Sequence, residues 1–126
     1  MRRTGTAAVA ARTTREQKQG HRLRSQALEK IRIAANEYCL LNYAIAYTGG
    51  TPRRLALGRA DLWIVPVVFT SPGYGVVGEV GVLAIDQTAT VVGATPRREV
   101  LAAGTRLAKE KRDDLDAAFH RARTAR

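Results

Sequence analysis

The chain has 126 residues, 45% hydrophobic and only 6% aromatic, with 21 Lys and Arg against 11 Asp and Glu and a formal net charge of +10. That length can bury a core without staples, and the single cysteine, Cys39, excludes an internal disulfide. No stretch approaches the ~20 apolar residues of a membrane-spanning helix, and the excess positive charge implies attraction to anionic partners without choosing among them.

Residues 1–24 carry Arg2, Arg3, Arg12, Arg15, Lys18, Arg22 and Arg24 against one acid, Glu16, and almost no large apolar side chain. Such a segment cannot bury enough surface to offset its ordering entropy, so it reads as a disordered basic arm. The apolar patch Ala7–Ala11 is too short for a secretory core. The Arg-rich, acid-poor style also fits a transit peptide or an overlong start. It recurs at the C-terminus, however, and the cytoplasm is the expected compartment. Residues 25–126 are then a single domain.

From residue 25 to about 47 the spacing predicts a helix. Ser25 suits the N-cap, and Leu28, Ile31, Ala35, Tyr38 and Ile45 recur on one face with Leu41 thickening the stripe. Cys39 reads as a small core hydrophobe rather than a reactive thiol. Gly49, Gly50 and Pro52 should stop the helix. Leu41, Tyr43, Ile45 and Tyr47 also alternate, which leaves a strand open for the last turns. Residues 53–60 read as a connector with some strand character.

Leu62–Thr70 is β-branched and aromatic, and predicts a strand. Pro66 within it cannot donate to a ladder, which calls for an edge or a bulge. A turn at Ser71–Gly75, a strand at Val76–Ile85, a turn at Asp86–Ala89 and a strand at Thr90–Ala94 complete an antiparallel meander. Thr95 can cap and Pro96 can open a helix running to about Arg121, with Val100, Leu107, Leu115 and Phe119 as its apolar stripe and Ala103 and Ala118 filling it in. Asp113, Asp114 and Asp116 read as solvated charges paired with Lys109 and Arg112. The fold class is α+β: a helix, a three-stranded antiparallel β-meander and a C-terminal helix.

Alternation puts Trp63, Val65, Val67 and Phe69 on one sheet face and Leu62, Ile64, Pro66 and Val68 on the other. On the second strand, Val76, Val80, Val82 and Ala84 oppose Val77, Leu83 and Ile85. Both faces are apolar, so each needs a cover. Either one helix takes each side, or both helices share one side and the other is an interface.

No nucleophile–base pair or metal-ligand spacing is visible, and neither a catalytic residue nor a cofactor is expected. His21 and His120 lie in basic ends. Gly73, Gly75 and Gly78 fit the bare dinucleotide-binding pattern, but a strand follows where a helix is required. Glu79 stands alone between Gly78 and Gly81, where a bend could aim it at solvent or at an Arg from a partner or from the basic arm.

The strands LWIVPVVFT, GEVGVLAID and VVGAT, in the stretch Asp61–Thr95, resemble the sheet of PepSY-type domains, in which a helix precedes a meander. The hairpin from Ile85 to Val92 departs from that pattern, with Ala89 or Thr90 where the turn glycine belongs. The resemblance implies an inhibitory or binding role rather than catalysis.

The expected function is a non-enzymatic binding or regulatory module acting through its sheet face or edge, as an inhibitor, an antitoxin-like partner or a homodimer. Trp63, Phe69, Tyr74 and Glu79 are the candidate interface residues. The alternative is a nucleic-acid-associated accessory protein that uses the basic arm.

Overall fold

A computed structural model describes residues 25–58 and 60–124. The basic arm, with every cation assigned to it, lies outside the described residues. Two compact units divide the chain, Met1–Lys30 and Ile31–Arg126. In the first, residues 25–30 are helical, so Ser25 lies within a helix rather than capping it. The second unit holds the remainder of that helix, α1 (residues 25–42), followed by β1 (Tyr47–Gly49), β2 (Arg53–Leu57), β3 (Ala60–Ser71), β4 (Gly75–Asp86), β5 (Val91–Ala94), α2 (Arg97–Glu110) and α3 (Arg112–Thr124). The fold class is α+β, with an antiparallel, curled sheet.

The expected meander is β3–β4–β5, but the sheet has five strands. β1 and β2 lie along one side of β3, against Val67–Phe69 and the Ala60–Ile64 end respectively, while β4 runs along the other. α1 ends at residue 42, with the Tyr43 and Ala44 N–H groups both closing on the Cys39 carbonyl, and Ala46 then turns to the sheet. The Ala46 carbonyl accepts both the Thr70 N–H at 2.8 Å and the Thr70 hydroxyl at 2.9 Å. Asn36 then steers β1, its side-chain oxygen accepting the Thr48 hydroxyl at 2.7 Å and the Gly49 N–H at 3.0 Å. The Gly49–Pro52 segment, expected to stop the helix, instead makes the bend between β1 and β2.

Pro66 sits on neither an edge strand nor a bulge. It occupies the middle of β3 opposite the bend, and its carbonyl accepts the Gly50 N–H at 2.7 Å. Beyond it the register slips twice, leaving Val80 and Val77 of β4 as extra residues. The first slip corrects the alternation: Val80 joins Leu83 and Ile85 in the core instead of opposing them. The core also takes Ile31, Ala35 and Cys39 from α1, Tyr43 from the turn after it, Val65 and Val67 from β3, and Val100 from α2. Each fully buried aliphatic contributes about 1.5–3 kcal/mol. Leu41 and Ile45, expected in the stripe, are 79% and 88% exposed, because Tyr43 takes the core position one turn after Cys39.

Thr95 does not cap α2, which has no side-chain cap. Its hydroxyl accepts the Val82 N–H at 2.9 Å and its N–H donates to the Val82 carbonyl at 3.0 Å, which extends the β4–β5 ladder after the backbone peels away. α2 then lies directly on β4. A Cβ on Gly78 would stand 2.9 Å from Leu107, and one on Gly81 2.9 Å from Val100. The expected single C-terminal helix is broken at Lys111, whose N–H still reaches the Leu107 carbonyl at 3.0 Å. Phe119, assigned to the apolar stripe, is 51% exposed beyond that break.

Four rings link α1, β1 and β3. Tyr38 meets Tyr43 edge-on at 5.8 Å, Tyr43 meets Tyr47 at 6.3 Å, and Tyr47 stacks on Phe69 at 5.5 Å. Tyr47 presses on α2 at Gly104, where an added Cβ would overlap the ring. Gly104→Ala should therefore lower the urea midpoint, costing about 1–3 kcal/mol by overpacking. In a Tyr47→Val background the same substitution should stabilise, since only its helix propensity, about 1 kcal/mol, remains.

Candidate functional site

Among the described residues no polar or charged side chain other than Cys39 and Tyr43 is buried, and no group of three or more His, Cys, Asp or Glu is placed to hold a metal ion. The titrating groups that depart from ordinary behaviour have structural causes. Burial pushes the Cys39 thiol up to about 11, which keeps it protonated and unreactive. Burial, with Tyr38 and Cys39 nearby, pushes the Tyr43 hydroxyl up to about 12, and burial also raises Tyr47. The Asp86 carboxylate is held below its usual range by the Thr88 hydroxyl, the Thr90 N–H and the Thr88 N–H, all on one oxygen at 2.6–3.0 Å. That network closes the β4–β5 turn, where Ala89 adopts φ +63° at the position that lacks glycine.

The glycines of the dinucleotide-like pattern are likewise accounted for by the fold. Gly73 and Gly75 have φ of +76° and +89° in the β3–β4 hairpin turn, and Gly78 makes room for Leu107. β4 follows them, so no helix N-terminus is presented to a pyrophosphate.

The sheet itself carries the surface of interest. α1 from Ile31 onward and α2 pack on the face of Val65, Val67, Leu83 and Ile85. By register, the other face presents Leu55, Leu62, Ile64, Pro66, Val82 and Ala84, none of which belongs to that core. Val82 is 44% and Leu55 40% exposed. Gly50 laps onto one corner, where an added Cβ would touch Pro66 and Val68, and Val68 is buried there. Charges stand around this aliphatic patch: Arg53 is opposite Ile64, Asp86 opposite Leu62, and Glu79 opposite Val68.

The four expected interface residues are not brought together. Trp63 and Phe69 are half-buried against the core, on the helix-covered face. Tyr74 is at the hairpin tip, where Lys111 donates to its hydroxyl at 3.2 Å. The ammonium is 5.5 Å from the ring centre and lies off the hydroxyl end rather than over the ring, so a hydrogen bond and not a cation–π contact ties the tip to the helix break. Glu79 is exposed at the bulges, without a side-chain hydrogen bond or ion pair. The expected pairing of Asp113, Asp114 and Asp116 with Lys109 and Arg112 is not formed; among the described residues the ion pair joins Arg54 to Asp61 at 2.6 Å. Aromatic residues dominate interface hot spots and point to Trp63 and Tyr74, whereas this patch is aliphatic and its signal in the sequence is the alternation of Leu62, Ile64 and Pro66 along β3.

The buried thiol and phenols fix an alkaline response. Both folded-state values lie above the ordinary ones of 9.0 and 10.0, so the stability they carry is complete below about pH 9 and is lost as pH rises toward 12. The Tyr43 hydroxyl donates to the Thr95 carbonyl at 2.7 Å, a bond worth about 1 kcal/mol. Tyr43→Phe should lose that amount at pH 7 and show a shallower fall above pH 10, read by urea denaturation across pH.

No protein-family model matches this chain, no curated protein matches it, and no solved structure matches it.

Proposed function

We propose that this chain is a non-enzymatic binding module that lays the open face of its sheet against another polypeptide, a second copy included. The observation that carries this reading is the aliphatic patch of Leu62, Ile64, Pro66, Val82 and Ala84 on the face opposite α2 and the Ile31–Tyr43 part of the chain. An apolar centre with charges at its perimeter is the anatomy of protein interfaces. Arg53, Glu79 and Asp86 supply both signs at that perimeter, as a self-complementary contact needs. The likeness of these strands to PepSY-type domains favours an inhibitory or regulatory role.

A photo-crosslinking residue at position 82 in the full chain, expressed in its native cell, should give a discrete protein adduct, either with a second copy or with one partner. The same residue at position 114, on the solvated side of α3, should give none. Absence of an adduct at both 82 and 64 would sink the proposal. Val82→Glu should weaken the complex at least tenfold while leaving the urea midpoint within about 0.5 kcal/mol of the parent.

A second reading rests on the charge distribution. Residues 1–24 hold seven cations and one acid, so they supply six of the ten net positive charges. An electrostatic clamp on nucleic acid would bind with a steep salt dependence that is lost when this segment is removed. Equal affinity with and without it would rule that reading out.

A further inference from the structure

A separate site lies on the helical side of the molecule. Where the helix breaks at Lys111, α2 and α3 open a cleft of about 520 Å³ against the Phe69–Ser71 end of β3. That volume falls within the range of small-ligand sites. Its apolar wall is Phe69, Leu115 and Phe119, and its charged wall is Lys109, Arg112 and Asp116. Three observations point to an occupant. Phe119 leaves half its surface in water, directed into a concavity instead of onto the core. Lys109 and Arg112 approach from different helices, yet neither makes an ion pair or side-chain hydrogen bond, although carboxylates crowd the same turn. With Asp116 included, the charged wall sums to +1, which balances a monoanion and disfavours a dianion.

We infer that this cleft binds an amphipathic monocarboxylate. Its chain or ring lies on Phe69, Leu115 and Phe119, and its carboxylate sits between Lys109 and Arg112, where the guanidinium can engage both oxygens. The site uses the opposite side of the sheet from the polypeptide-binding face, so the two proposals stand or fall separately.

Decanoate, kept below its micellar concentration, tests it against the full ¹⁵N-labelled chain. Saturable amide shifts should centre on Ser71, Thr105 and Phe119. The uncharged 1-decanol should bind about tenfold more weakly, as two solvent-facing charge contacts allow. Lys109→Gln with Arg112→Gln should bring decanoate down to the level of decanol. Phe119→Ser should weaken both ligands alike. These side chains are exposed, so the variants should unfold at the parental urea midpoint. Shifts centred on Ile64 and Val82, decanol binding as tightly as decanoate, or an indifferent double variant would each overturn the assignment. Tighter binding of decyl phosphate at a pH where it is a dianion would overturn its monoanion part.

Discussion

Pro66 has no N–H to donate, and it stands in the middle of β3, the strand with which β1, β2 and β4 all pair. A proline inside a sheet is tolerated only where no acceptor waits for the missing donor. Here that place is the bend at Gly50–Pro52, where β1 has ended and β2 has not begun. The carbonyl of Pro66 is still used, by Gly50. One missing hydrogen thus divides the outer edge of the sheet into two short strands. β1 carries Tyr47 to Gly104 of α2, and β2 sets Arg54 against Asp61. The covered face is fixed by the first of these and by the Tyr43–Thr95 bond, which ties the end of α1 to the start of α2.

The bulges on β4 have the complementary effect on the inner side. Each inserts one valine, and both valines are buried. A bulge bends its strand and increases the local twist. Val80 thereby enters the core beside Leu83, while Gly78 and Gly81 present bare backbone to α2. Helix and strand can approach closely only because Gly78 and Gly81 carry no side chain. With α2 drawn onto that face, the aliphatic residues of the other face are left without a helix from the same compact unit.

Much of this was legible in the sequence. The β-branched runs marked β3, β4 and β5, and a long 3.6-residue period marked α1. Three things were not, or not fully. β1 and β2 were legible only in part, as an alternation ending at Tyr47 and as some strand character in residues 53–60; Tyr47–Gly49 and Arg53–Leu57 pair with β3 on either side of Pro66. The bulge at Val80 reverses the faces of Glu79 and Gly78, and the second bulge at Val77 restores them, so simple alternation misassigns the stretch between the two bulges together with Val80. The break at Lys111 has no glycine or proline to announce it, and the cleft that it opens was invisible for that reason. The apolarity of both sheet faces was readable from the start; which of them the helices would leave bare depended on the glycines of β4.

Glu79 and its two flanking bulges also bear on how molecules of this kind avoid growing into fibres. β5 pairs with the Leu83–Ile85 part of β4, and among the described residues no strand flanks the outer side of the Gly75–Gly81 part. A flat, neutral strand there would be a template for stacking chain upon chain through backbone hydrogen bonds. Here the donors and acceptors are thrown out of line twice within four residues, and a carboxylate is placed between the two kinks. On the opposite margin, β1 has three residues and β2 five, separated by a proline-containing bend. The rims of the sheet therefore resist open-ended growth by edge-to-edge pairing.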